Sequence, residues 1–549
     1  MLWTRFAEVL LGAVLSTCAS VLASQVPFTP VDDATLSWSS RPWNERASGD
    51  ASGNLVFQSL ASLLQMMPNS KYPIGHSIAR ATIPQGTLLH HGRHVGGCPS
   101  MDWIAFDPEH AMLFAFGMNG TLQTYITTRD LQLVYFDGSS GNARGGTVDT
   151  QDILFWGEPG KREKHELDRL VDGCTWAKQY GMDGILRMEF DFEIMYCDFS
   201  QGLELVSTMS SINPWADDDP SGLPSQGPTL PGGHCTPGAT FHGLTKESLD
   251  AENLQISSQT LGIPPFSYPK GWKGSLPSVD VQAFFAGTWH NRFPGETRVR
   301  VDPSSLISLF DPALTSLAEA RRSMTRDQYR PANISKADMA RWRADIADVM
   351  ARDLTVKSAI DWQSLARVIQ ERFGDRLPYM RHLLHEPATN VTVQLARVRK
   401  QLIVSLIPYM PRANIGKPEW FAAIARNCAV RLTDHLPRTG FTKQEHLLYH
   451  AVEEVLHEIC RVYTEAWVDA FDAEKPAALV QELLAKWRDE FDLLMEWLDW
   501  PVWIKCDPAC GVEESCWVPQ GQPWTPDGDH EPRCIRMDFE GFVPPTGLE

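Results

Sequence analysis

Residues 184–198 read GILRMEFDFEIMYCD, and the chain is best understood outward from them. The second half, Glu193-Ile194-Met195-Tyr196-Cys197, has the apolar, β-branched and aromatic content of a buried strand. Glu193 opens that strand, with Asp191 and Glu189 two and four residues before it. A carboxylate at a strand mouth is rigidly held while the loop before it is free to vary, which suits a catalytic or ligand-gripping group. A lone strand-end Glu is more commonly a surface acid, so its neighbours decide the matter.

Those neighbours lie upstream. Gly86-Thr87-Leu88-Leu89-His90-His91-Gly92-Arg93 reads as a strand running into a glycine turn. Trp103-Ile104-Ala105-Phe106 reads as a second short strand, and Asp107-Pro108-Glu109-His110 opens a helix with Asp as cap and Pro in the first turn. Residues 122–128 and 131–136 read as strands joined through a hairpin-like turn at Arg129-Asp130, and 137–147 as a Gly/Ser loop. Residues 167–180 read as a helix ended by Gly181, and 203–207 as a further strand. Short strands with one or two helices predict an α+β domain over 50–210.

This order of motifs resembles the ADP-ribosyltransferase superfamily, in its poly(ADP-ribose) polymerase and diphtheria-toxin branch. There, a strand ends in His-Gly, an apolar aromatic strand runs into a helix, and a third strand opens with the catalytic Glu. The counterparts here are His91-Gly92-Arg93, Trp103–Phe106 and Glu193. The resemblance implies a split β-sheet domain with NAD, as substrate, between the His-Gly and Glu strands. It implies that the Gly92 backbone approaches the nicotinamide amide, that His91 bonds a ribose hydroxyl, and that Glu193 is catalytic, stabilising positive charge as the glycosidic bond breaks. Arg93, Trp103, Phe106 and Phe114 complete the implied cofactor-binding set. The branch places Tyr where Ala105 stands, and the related Arg–Ser–Glu branch places Gln or Glu where Asp191 stands.

Length and charge bound the rest. A chain of 549 residues exceeds what one core ordinarily serves, predicting two or three domains. The formal charge of −19 disfavours nucleic acid and anionic membranes as partners. The opening MLWTRFAEVLLGAVLSTCASVLAS has a basic flank, an apolar core and small residues at Val21 and Ala23, predicting a signal peptide over 1–23, with an uncleaved anchor as the alternative. No later segment is apolar enough to cross a bilayer. Loss of Cys18 with the signal leaves ten cysteines, Cys98, Cys174, Cys197, Cys235, Cys428, Cys460, Cys506, Cys510, Cys516 and Cys534, an even set expected to form disulfides in an exported chain. Asn119, Asn333 and Asn390 head glycosylation sequons, in keeping with a secreted protein.

Residues 211–238, rich in Pro, Gly and Asp, read as a linker, and 239–500 as a mainly α-helical domain. Its start carries scattered strands such as 297–301, followed by helices near 336–352, 361–374, 392–407, 418–434, 443–471 and 476–499. Ser335–Asp338 and Thr442–Glu445 read as capping boxes. His446, His450, Glu454 and His457 form a stripe that would need partners on another helix to bind metal, and a solvated polar face is the commoner arrangement, so no metal is assigned. Residues 501–549 form a Cys-rich tail whose spacings favour two disulfides over zinc, with three connectivities open, and Cys428 and Cys460 are candidates to pair.

The expectation is a secreted, NAD-cleaving ADP-ribosyltransferase-like protein, active or lapsed, passing ADP-ribose to a protein, another acceptor or water. The alternatives are a secreted structural or recognition glycoprotein, and a glycoside hydrolase using two of Glu189, Asp191 and Glu193.

Overall fold

The computed structural model describes residues 41–93, 97–112, 114–115, 120–142, 145–159, 165–189, 191–210, 295–354, 358–387, 390–472, 476–518 and 531–536. The expected signal peptide over 1–23, Asn119, Cys235 and the expected linker over 211–238 lie outside the described residues.

Nine strands form one sheet: β1 (Ser77–Ile83), β2 (Leu88–Arg93), β3 (Asp102–Ala105), β4 (Thr121–Thr127), β5 (Leu131–Phe136), β6 (Gly184–Met188), β7 (Phe192–Tyr196), β8 (Leu203–Ser210) and β9 (Arg300–Ser308). Their order is β8-β4-β2-β3-β7-β6-β5-β1-β9, with only β5 and β6 parallel. The order forces the sheet to curl. Four strands stand between β1 and β2, a flat-sheet separation of about 24 Å, yet residues 84–87 can span only about 17 Å. Likewise β4 and β5 are four strands apart but joined by residues 128–130. The expected hairpin at Arg129-Asp130 is therefore corrected to a crossing between the two wings. Both strands bury apolar side chains in one core, Tyr125 from β4 and Leu131, Leu133 and Tyr135 from β5, and Arg129 pins the crossing through a bidentate pair with Asp183 at 2.6 and 2.7 Å.

The opening stretch is two antiparallel strands rather than one, with Met188 opposite Phe192 and Arg187 opposite Glu193. Alternation along these strands feeds two cores. Leu186, Ile194 and Tyr196 join Ile104 and Phe106 in a main core that continues into the helices, whereas Ile185, Met195 and Cys197 join a second core on the other face.

The helices are α1 (Gly53–Ala61), α2 (Met66–Lys71), α3 (Pro108–Met112), α4 (Asp149–Trp156), α5 (Glu166–Lys178), α6 (Thr315–Arg321), α7 (Lys336–Met350), α8 (Trp362–Phe373), α9 (Arg376–His385), α10 (Val391–Leu406), α11 (Pro418–Val430), α12 (Lys443–Ala470) and α13 (Ala477–Leu498). Six of these, α7, α8 and α10–α13, lie where the apolar period places helices. Thr442 and Glu445 form the reciprocal capping box. Ser335 caps α7, but the Asp338 carboxylate turns to Ser316 at 2.6 and 2.9 Å. The ninth strand comes from beyond the linker, and the main core runs without a break from the sheet through α8–α13. Disulfides join Cys174–Cys197, Cys428–Cys460, Cys506–Cys516 and Cys510–Cys534, and Cys98 is also disulfide-bonded. No helix among the described residues is long and apolar enough to cross a membrane.

The α12 stripe holds the chain's own N-terminal arm. Glu454 accepts from Gly53 N at 2.9 Å, His457 Nε2 contacts the Glu45 carbonyl at 2.8 Å, and Glu458 accepts from Ala47 N at 2.5 Å. His385 is engaged elsewhere, with Asp492 at 2.8 Å. Glu454→Ala combined with His457→Ala should free residues 41–52, lowering the local opening cost by about 2–3 kcal/mol. Limited proteolysis should then cut the arm about tenfold faster or more, while the fold's denaturation midpoint stays nearly fixed.

Candidate functional site

The site's floor is the strand row β2–β3–β7–β6. The register sets His90 opposite Ala105, Ala105 opposite Glu193, and Glu193 opposite Arg187. Residues paired across strands project to the same side, so His90, Ala105, Glu193 and Arg187 share one face. Above that face lies a cavity of about 460 Å³, walled by α3 on one side and α5 on the other. His90, Trp103, Glu193, Arg187, His110 and Glu189 all line it. Its size is that of a cofactor or small-ligand site.

His91 requires a correction. It borders the cavity, but alternation turns its ring to the face opposite Glu193. There Nδ1 contacts the Trp103 carbonyl at 2.7 Å, Nε2 lies 3.6 Å from Asp102, and the ring packs 5.3 Å from that of Phe199. It is 4% exposed. The imidazole that shares the row of Glu193 is His90. A one-residue change in register decides this, and a His-His pair gives no sequence signal of which ring faces which side.

Gly92 lines the cavity, and its lack of a side chain also has a packing reason. A Cβ there would sit 1.6 Å from the Ala111 carbonyl oxygen, so the bare backbone is needed for α3 to close on β2. Gly92→Ala should cost about 3 kcal/mol or more and lift α3 from the cavity wall, read as a lower urea midpoint together with faster amide exchange in residues 108–112.

Phe106 is excluded from ligand stacking. It is fully buried in the main core with the Arg298 guanidinium 5.1 Å above its ring. Trp103, opposite Met195, projects on the cavity face, and its buried indole nitrogen has no hydrogen-bond partner among the described residues. Phe114 lines the mouth and is 43% exposed. Arg93 borders the cavity at the end of β2.

Glu193 is held by its cross-strand partner: Arg187 Nε donates to Oε1 at 2.8 Å. Arg187 also meets Glu166 at 2.8 Å, and Glu166 meets Arg169, which is bound to Asp152. Burial pushes the Glu193 pKa up, as does neighbouring Glu189, against the pull of Arg187 and His110. Burial works against the charged form of Glu166 as well, but Arg187 and Arg169 outweigh it and hold its pKa low.

Two residues of this site carry no family motif. Glu189, in the turn, faces the cavity with its side chain 26% exposed. Asp191, the closer carboxylate in sequence, turns inward. It is fully buried against Asp107, burial and that neighbour raise its pKa strongly, and Arg298 secures Asp107 at 2.9 Å. The second residue is His110 of α3, 1% exposed, with Nε2 at 3.4 Å from Glu189 and 3.8 Å from Glu193. The Asp-Pro-Glu-His helix start was visible in the sequence, but the direction of its His was not. The tail cysteines are joined in two disulfides and offer no thiolate.

A family model described as the YPL277C N-terminal domain matches residues 115–226, which include Glu193 but not β2 or β3. The uncharacterized protein YOR389W of Saccharomyces cerevisiae is 23% identical over 95% of this chain and 90% of its own length. The uncharacterized protein YPL277C of the same yeast is 29% identical over 46% of this chain and 60% of its own length. No solved structure matches.

Proposed function

We propose that the cavity binds NAD and cleaves the bond between nicotinamide and ribose, as an ADP-ribosyltransferase or NAD glycohydrolase of an exported protein. The observation that carries the reading is Glu193 on a cavity floor formed by three adjacent strands, β2, β3 and β7, in the relation the motif resemblance implies. The cavity's chemistry supports it. Trp103, Met101, Leu167 and Leu170 give one apolar region, suited to a flat heteroaromatic ring, and Glu193, Glu189 and Glu166 give an acidic one. A pyridinium ring on a hydroxylated sugar needs both, because a carboxylate beside the sugar stabilises the positive charge that grows at C1′.

Glu193 accepts a ribose hydroxyl through Oε2 while Arg187 fixes Oε1. His90, rather than His91, reaches the ribose, and Trp103 takes the stacking role for which the motif has Tyr at position 105. The C1′–N bond breaks, nicotinamide leaves as a neutral molecule with the bonding pair, and an oxygen or nitrogen of the acceptor bonds to C1′ and loses its proton.

The test is nicotinamide release from NAD by the full chain, since β9 and the shared core make residues 50–210 alone an incomplete fold. Release above the buffer rate supports the reading, and none across pH 5–9 with protein, small-molecule and water acceptors rejects it.

The neighbouring acids favour a second reading, hydrolysis of O-glycosides. Glu189 and Glu193 bring carboxylate oxygens within 4.8 Å of each other, and retaining glycosidases work with two carboxyl groups about 5 Å apart. Turnover of aryl glycosides, with NAD untouched, would select it.

A further inference from the structure

The carboxylates Glu189 and Glu193 stand together at the cavity wall, and Arg187 Nε donates to Oε1 of Glu193. His110 Nε2 lies near the other oxygen, Oε2, of Glu193 at 3.8 Å and near Oε2 of Glu189 at 3.4 Å. Its place is fixed by backbone: α3 is locked against β2 where Ala111 meets Gly92. The ring is 1% exposed, so it touches solvent hardly at all and acts through the two acids.

We propose that His110 is a positioning residue that supplies, as an imidazolium, the second positive charge of the site, holding Glu189 and Glu193 side by side with their free oxygens toward the ligand. This rests on the NAD-cleaving reading for its kinetic consequence, though not for the charge state itself. The groups facing the ring are Glu189, Asp191 and Glu193 from the β6–β7 hairpin, with Arg187 behind Glu193 and Arg93 bordering the cavity from β2. Burial opposes the charged imidazole, but Glu189 and Glu193 outweigh it and hold its pKa above the ordinary histidine value. Arg187 alone cannot serve, because its other side is taken by Glu166 at 2.8 Å.

The sign of the pH effect follows. A cation beside Glu193 lowers the carboxylate's pKa, so removing it moves the acid limb of kcat/KM to higher pH. Deprotonation of His110 itself sets an alkaline limb in the wild type.

Two measurements test this on the full chain. In the first, the His110 imidazole is titrated by NMR, with the assignment made by its loss in His110→Gln. The expected result is a ring still protonated at pH 7, with its pKa falling by about one unit or more in Glu189→Gln. A neutral ring at pH 7, or one indifferent to Glu189, overturns the proposal whether or not NAD is cleaved. So does a stoichiometric divalent metal in the purified protein that His110→Gln removes. In the second, the pH profile of nicotinamide release is compared between wild type and His110→Gln. The variant should lose the alkaline limb, shift the acid limb upward, and fall in kcat more than it rises in KM. A uniform fall at every pH, with an unchanged profile shape, marks a merely structural role and overturns the proposal. Absence of release from the wild type rejects the NAD reading, leaving the titration to decide the charge on His110.

Discussion

Glu193→Gln should slow nicotinamide release from NAD by about a hundredfold or more, with KM changed far less. The substitution preserves shape, so Gln can still hydrogen-bond a ribose hydroxyl in the ground state. What it removes is negative charge beside C1′, needed only as the bond breaks. The loss should therefore fall on kcat. Folding should change little, by less than about 2 kcal/mol, because Arg187 keeps Glu166 as a charged partner. The pH linkage points the same way. Burial and Glu189 raise the Glu193 pKa in the folded state, so its contribution to stability is full below the unfolded pKa and is lost as pH rises through the folded one. At neutral pH the ionised acid is a folding cost that Gln does not carry. Initial-rate kinetics with a urea melt of the same sample check both halves. Equal turnover in the variant and the wild type would reject Glu193 as the charge-stabilising group.

Arg187→Met should produce the largest stability loss, about 3–5 kcal/mol. Arg187 is 3% exposed and touches both Glu166 and Glu193 at 2.8 Å, so its loss strands two buried carboxylates in a low-dielectric wall. Methionine fills much of the volume, which isolates the electrostatic part from a cavity effect. The urea midpoint should fall with m unchanged. Adding Glu193→Gln to Arg187→Met should recover at least about 1 kcal/mol, since the second change removes one of the stranded charges. A double variant no more stable than Arg187→Met would show that the pair is not coupled and that Glu166 alone matters to Arg187.

Six of the helices from α7 onward, all but α9, were legible because apolar residues recur at three- and four-residue steps and caps mark starts, as at Thr442 and Glu445. Pairing of Cys428 with Cys460 was also within reach, as both lie on the facing helices α11 and α12. The strand at Glu193 was legible too. Its hairpin partner β6 was not, and with it went the Arg187–Glu193 pair, although the two residues stand symmetrically about the turn. Composition gave no notice of α4, or of the role of 300–308 as an edge strand beside β1.

The amino-acid order by itself determined the acidic α+β character, the long helices and the presence of a carboxylate at the mouth of a buried strand. Those properties follow from local period, capping and net charge, which need no partner. Tertiary structure alone decided that His90 and not His91 shares the row of Glu193, that Asp191 turns away while Glu189 faces the cavity, and that His110 joins them. Which side of a strand a residue faces depends on the register with its neighbours, and that register is set by contacts between segments as distant in sequence as β3 and β7.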